Sequence, residues 1–200
     1  LSSCILKTLD LREIAHPYLV ELMVEINQTA HLAIKEGYEG VYLDKVEGPG
    51  TLPMISRVGM RMSLYSTGFG KAILAYLSSQ EIEDYLAKVP LLSKTPNTIT
   101  DLTIFREELR ETRERGYAFD DQENEEGIRC LGVPLFDFSG KVIGAISVAG
   151  HYPQFEGQKK IEMAKVVMET ANKINAILQG RQKDLLVEKG GDKVDINPVL

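Results

Sequence analysis

The residues best suited to chemistry fall in four places. Thr67-Gly68-Phe69-Gly70-Lys71 has the glycine–lysine look of a phosphate loop. Such a loop needs Gly-x-x-x-x-Gly-Lys-Ser/Thr, because its final hydroxyl holds magnesium. Here Tyr65 stands at the first glycine position and Ala72 follows Lys71, so this route to nucleotide binding is excluded. A helix opening on glycines can still offer free N–H groups and the positive end of its dipole to a small carboxylate. Equally, the glycines can serve only to let that helix pack closely. The three histidines, His16, His31 and His151, lie at no metal-ligand spacing to one another or to a Cys or carboxylate pair, and no zinc site is expected. Cys130 would be a nucleophile only with a base beside it, and the sequence shows none; it reads as a small buried residue or a ligand-contacting thiol. Residues 120–126 hold five carboxylates in seven positions. A solvated loop is the plain reading, but Asp120, at the entrance to a strand, can turn inward as a hydrogen-bond partner for a ligand hydroxyl.

A hairpin must position these groups. A turn at Ser139-Gly140 pairs residue 138 with 141, so paired residues sum to 279 from Arg129 to Gly150. Side chains alternate along strands. One face then carries Leu131, Val133, Leu135, Val142, Ile146 and Val148. The other carries Cys130, Gly132, Pro134, Ala145, Ser147 and Ala149, with Phe136 and Ile143 near the turn. The second face is small and mildly polar, and protein interiors do not leave volume unfilled. Either a helix approaches closely there or a small molecule fills the space.

The rest of the chain supplies the frame. Residues 10–28 have helical spacing, with Asp10 and Glu13 placed like a capping box and Pro17 expected to kink or restart the helix. Residues 29–34 and 41–46 read as a hairpin about Gly37–Gly40, and 52–58 as a further strand. A helix is expected from Ser66 to about Leu77, and a second one capped by Ser78 or Ser79. After a loop over 90–100, Asp101 caps a charged helix that Gly116 stops. Residues 155–178 form a long helix with Phe155, Ile161, Ala164, Val167, Met168, Ala171, Ile174 and Ile177 inward. Strands and helices mix without βαβ alternation, which predicts an α+β fold, an antiparallel sheet with helices on its faces.

Composition narrows the function. The chain has 200 residues, 44 % of them hydrophobic, enough for one sizeable core. Lys and Arg number 23 against 29 Asp and Glu, a net charge of −6, which argues against gripping nucleic-acid phosphates with this segment. No apolar run approaches membrane-spanning length. Two cysteines, Cys4 and Cys130, make no disulfide framework, so a cytoplasmic setting is expected. The chain starts without methionine inside a helical pattern and is expected to be the C-terminal piece of a longer protein.

Gly116-Tyr117-Ala118-Phe119-Asp120-Asp121-Gln122-Glu123-Asn124-Glu125-Glu126-Gly127-Ile128-Arg129-Cys130, followed by Val133-Pro134-Leu135-Phe136-Asp137 and Ile146-Ser147-Val148-Ala149-Gly150, resembles the C-terminal effector-binding domain of the IclR family of bacterial transcription regulators. Leu64 to Ala75, His16-Pro17-Tyr18-Leu19 and Val41 to Val46 fit the same pattern, and the likeness spans about residues 10–178. It implies a GAF-like curved antiparallel sheet with helices on both faces. Residues 1–9 would be the end of an inter-domain linker helix, and 179–200 a loosely ordered tail. It also implies a DNA-reading winged helix-turn-helix domain before residue 1, a homodimer or dimer of dimers, and often repression.

Carried over residue by residue, the resemblance implies a ligand site of Asp120, Cys130, Ser147, Ala149 and the N–H groups of Gly68 and Phe69. Ala149 stands where the family's second serine is expected and removes a hydroxyl. No cofactor or catalytic residue is implied. The runs from Asn124 to Cys130, Thr67 to Lys71 and Thr95 to Ile99 look most like regulators that respond to 2-keto-3-deoxygluconate, so a sugar acid is the expected effector class. Two other readings compete: a GAF-type enzyme using Cys130 for redox chemistry, and a dimerisation module without ligand.

Overall fold

A computed structural model describes the backbone of residues 2–190 and the side chains of residues 10–180. Twelve elements follow one another: α1 (Ser2–Ile26), β1 (Thr29–Glu36), β2 (Glu39–Val46), β3 (Arg61–Ser63), α2 (Gly68–Leu74), α3 (Ser79–Lys88), α4 (Leu102–Arg115), β4 (Ala118–Asp121), β5 (Ile128–Phe136), β6 (Val142–His151), a 3-10 turn (Tyr152–Phe155) and α5 (Gly157–Gly190). The strands form one antiparallel sheet in the order β3-β2-β1-β6-β5-β4. The expected α+β architecture, with helices on both faces, is what the chain adopts.

Two cores lie on opposite faces of the sheet. Leu131, Val133, Leu135, Ile146 and Val148 pack with Leu11, Leu19 and Leu22 of α1 and with Ala164, Val167 and Ile174 of α5. On the other face Ala145 and Ala118 pack with Phe69, Ala72 and Ile73 of α2, Tyr85 of α3 and Phe105 and Leu109 of α4. The bulky and small faces of the β5–β6 hairpin therefore each have their own layer of helices.

Local chemistry explains the sharpest element boundaries. The Asp101 carboxylate accepts from the N–H groups of Thr103 and Ile104 at 2.8 and 2.9 Å, and Gly116 ends α4 in the left-handed region at φ 84°. Ser78 and Glu81 form a reciprocal capping box on α3. Asn27, at φ 54°, turns the chain out of α1.

Several expectations are corrected. Helix α1 is already helical at Ser2 and runs unbroken past Pro17, so Asp10 and Glu13 do not cap a start and the helix does not restart. Residues 52–58 are irregular rather than a strand, and the third strand is Arg61–Ser63. Helix α2 stops at Leu74, short of Leu77. Ile161 is exposed and Met163 takes its place in the buried stripe of α5. Helix α5 continues as backbone to Gly190, so residues 179–190 are helical; the last ten residues of the expected tail lie outside the described residues. The β5–β6 loop spans residues 137–141, an odd length. An irregularity at Leu135/Phe136 restores the 279 sum from Leu135–Gly144 to Ile128–His151. Its cost is local: Val142 joins the small-face core and Ile143 the bulky one, the reverse of the expected pair.

Candidate functional site

Strand register gathers the expected residues into two rows across the small face of the sheet. Asp120 pairs with Cys130, Cys130 with Ala149, and Ala149 with Thr29. The next row runs Ala118, Gly132, Ser147, His31 and Lys45. Paired residues share a face, so Asp120, Cys130, Ser147 and Ala149 sit together, and all four are buried.

Close approach of a helix explains the small residues of one row, and a cavity borders the other. Helix α2 lies on the Gly132 row: a Cβ at Gly132 would fall 2.3 Å from the carbonyl carbon and oxygen of Gly68, and one at Gly70 would fall 2.2 Å from the Leu64 carbonyl oxygen. These glycines serve close backbone packing. Beyond the α2 N-terminus, the Cys130 row borders a cavity of about 60 Å³, lined among others by His31, Tyr42, Ser56, Thr67, Asp120, Asn124, Cys130 and Ala149. Met54, Ile55 and Ser56 reach it from the segment between β2 and β3. Lys45 holds that segment by donating to the carbonyls of Met54 and Ser56 at 2.8 and 2.7 Å.

Of the six expected residues, Asp120, Cys130 and Ala149 line the cavity directly. Gly68 and Phe69 open α2 beside it, but their N–H groups face the Cys130 sulfur. The Phe69 side chain turns into the core and packs on Tyr42 with ring centroids 5.1 Å apart. The Ser147 hydroxyl also faces that sulfur, yet has no partner at full hydrogen-bond distance.

The electrostatics follow from burial. Burial pushes the Asp120 carboxyl up to about 7. The Lys71 charge and the N–H groups of Glu123 and Asn124 oppose the shift, and the Glu123 carboxylate adds to it. The Glu123 N–H donates to Asp120 Oδ1 at 2.7 Å. Burial likewise pushes the Cys130 thiol up to about 12, helped by Asp120, against the pull of Ser147 and the two N–H groups of α2. A thiol so held is protonated and a poor nucleophile.

Lys71 itself is buried, and its ammonium is engaged within the protein. Its ammonium contacts the Glu123 carboxylate, the Phe119 carbonyl at 2.5 Å and Glu108 at 3.1 Å. The acidic run is therefore not wholly solvated: Glu123 is 3 % exposed and anchors the loop that carries Asp120. The backbone carbonyl of Glu123 accepts from Thr98 at 2.6 Å.

Sequence reasoning missed His31, Tyr42, Ser56 and Thr67. Only His31 carried a signal, since Thr29, His31 and Ala33 alternate with apolar residues along β1. The His31 ring is buried and packs on Tyr42 at 4.7 Å. Among the described residues no group of three or more His, Cys, Asp or Glu is placed to hold a metal ion, and no helix is long and apolar enough to cross a membrane.

The family model for "Bacterial transcriptional regulator IclR C-terminal" matches residues 4–176. The chain is 37 % identical over 142 residues to the HTH-type transcriptional regulator XynR of Escherichia coli K12, covering 71 % of this chain and 56 % of that protein. It thus spans little more than half the length of that relative. Among solved structures it is similar to the Thermotoga maritima IclR, with a TM-score of 0.84 and 45 % identity over 88 % of this chain and 72 % of that one. It is also similar to the C-terminal domain of the E. coli transcriptional regulator KdgR, with a TM-score of 0.77 and 32 % identity over 85 % of this chain and 99 % of that domain. A match that takes in the Gly-Lys helix, the acidic loop and both site strands shows that the chain belongs to the IclR family of bacterial transcriptional regulators, as their C-terminal domain.

Proposed function

We propose that this domain senses a small hydroxylated or keto organic acid, with a sugar acid as the favoured class, in the cavity on the small face of its sheet. The observation that carries this reading is the cavity's placement: the buried Asp120 carboxyl, the buried Cys130 thiol and Thr67, the N-cap of α2, line it although each comes from a separate part of the fold. Asp120, Cys130 and Ser147 would hold the hydroxyl or keto oxygens. The effector carboxylate would meet the Gly68 and Phe69 N–H groups once the Cys130 side chain turns aside, and Ala149 leaves that wall apolar. One water takes about 10–15 Å³ by the same measure, so a six-carbon acid needs a wider cavity. Lys45 pins the segment between β2 and β3 at Met54 and Ser56, so the widening would fall to Ile55, which is 77 % exposed.

In the intact protein, taken as a cytoplasmic homodimer or dimer of dimers, residues 1–9 would lead from a DNA-binding domain. Effector binding would favour one of two dimer arrangements and so move that domain. The protonated Cys130 thiol supports a binding role over redox catalysis, and the convergent polar groups support a sensor over a dimerisation module alone.

The charge of Asp120 gives a test. Its folded value near 7 lies above the unfolded one, so its contribution to stability is fully present below about pH 4 and is lost as pH rises through about 7. An anionic ligand beside it prefers the protonated form. Affinity for an acid effector is therefore expected to rise as pH falls from 8 to 6, by up to about tenfold per unit, and to flatten in Asp120→Asn. Titration calorimetry at three pH values measures this; affinity that increases with pH would contradict the assignment.

A further inference from the structure

We propose that His31 is a specificity-determining residue of the effector site: together with Ser147 it forms a hydrogen-bonding pair that recognises a hydroxyl group on the bound acid. This rests on the effector reading above. The two residues are in-register partners on β1 and β6, which sets their Cβ atoms about 4.5–5.5 Å apart. Both are buried, at 1 % exposure each. Among the described residues, His31 Nδ1 has no hydrogen-bond partner and Ser147 Oγ has only the Cys130 thiol facing it, although burying an unpaired polar atom is costly. His31 lines the cavity.

The rest of the ring is fixed. His31 Nε2 lies 2.8 Å from Ser56 Oγ, and the Tyr42 ring packs against the imidazole. Burial and the Lys45 charge hold the ring's pKa down to about 3, so it acts through hydrogen bonding rather than charge. One ring nitrogen donates and the other accepts. Whichever role falls to Nδ1, a ligand hydroxyl can supply the complement and still exchange a hydrogen bond with Ser147. A methylene group at that place would leave His31 Nδ1 unpaired and Ser147 Oγ with no more than the Cys130 thiol. Sites built this way reject analogues that lack the hydroxyl far more strongly than apolar pockets reject an added one.

The test pairs acids that differ in hydroxylation, D-gluconate and 2-keto-3-deoxygluconate against hexanoate, measured by titration calorimetry on the 200-residue chain. The expected result is at least hundredfold preference for a hydroxylated acid. Two variants separate the ring nitrogens. His31→Gln keeps a polar atom near the Nε2 position and loses Nδ1, whereas His31→Asn keeps one near Nδ1. Preference should fall below tenfold in His31→Gln and in Ser147→Ala, and persist in His31→Asn. If His31→Gln does not fold by circular dichroism, Ser147→Ala carries the same test. Binding of both acid types with equal affinity, or preference unchanged in His31→Gln and Ser147→Ala, overturns the role of this pair and leaves a sensor of carboxylates. Binding of none of these acids overturns the sugar-acid reading and the pair's role with it.

Discussion

Replacing Lys71 by methionine is expected to destabilise the chain by about 3–5 kcal/mol, read as a lower midpoint in urea unfolding. Its ammonium is buried against the Glu123 carboxylate and the Phe119 carbonyl, with Glu108 at 3.1 Å. Methionine fills most of the volume but leaves Glu123 buried without its counter-charge. Arg115, 2.7 Å from Glu108, still neutralises that second carboxylate, so the loss falls mainly on Glu123. Removing both charges in Lys71→Met with Glu123→Gln should recover much of the loss, because a buried pair replaced as a unit is often nearly neutral. The effect reaches the site as well. The Glu123 N–H holds Asp120, and the Lys71 charge restrains the rise of the Asp120 pKa. In Lys71→Met that value should climb further and the pH dependence of effector affinity should shift upward with it. A loss below about 1 kcal/mol, the range of exposed ion pairs, would contradict this account.

The second large effect is expected at Gly132. A valine there would drive its Cβ into the Gly68 carbonyl at 2.3 Å and the Phe69 nitrogen at 2.6 Å. The obstacle is backbone on both sides, so no side chain can turn away. Overpacking usually costs 1–3 kcal/mol and occasionally more; about 3 kcal/mol is expected here. The start of α2 should lift from β5, carrying the Gly68 and Phe69 N–H groups away from Cys130 and weakening effector binding beyond the loss of stability. Gly180→Ala is the contrast, since nothing lies within 4 Å of the added atom, and it should be neutral or stabilising by up to about 1 kcal/mol. Chemical denaturation with calorimetry on the folded variants separates the two effects. A Gly132→Val chain with unchanged stability and binding would show that α2 does not depend on this contact.

What was legible in the sequence is what local chemistry decides. Asp101 and Gly116 bound α4 because a side-chain cap and a left-handed glycine act on their own neighbours. The β5–β6 register was legible because alternation and a short loop fix it, and the odd loop length was absorbed by one irregularity at Leu135/Phe136. The non-local features were not legible. His31 becomes part of the site only because β1 crosses to pair with β6, more than a hundred residues away. Residues 52–58 looked like a strand by composition, but Lys45 takes up their carbonyls with its side chain in place of a sheet partner. Lys71 sat in a motif that suggested an anion, and its partner turned out to be Glu123, inside a run whose plain reading was a solvated loop. The residues carried over by resemblance converge in space, while Gly68 and Phe69 stand behind the Cys130 thiol rather than at the cavity wall.

The cavity beside Asp120 and Cys130 is expected to bind a small acid. Thermal unfolding of the chain across a panel of sugar, hydroxy and keto acids tests it most directly. An acid at about 100 times its dissociation constant should add roughly 2.7 kcal/mol, a rise in Tm of about 5–10 °C for a chain of this size. Such a rise is expected with at least one sugar acid, and its loss in Asp120→Ala. No rise with any acid, or a rise that survives Asp120→Ala unchanged, would contradict it.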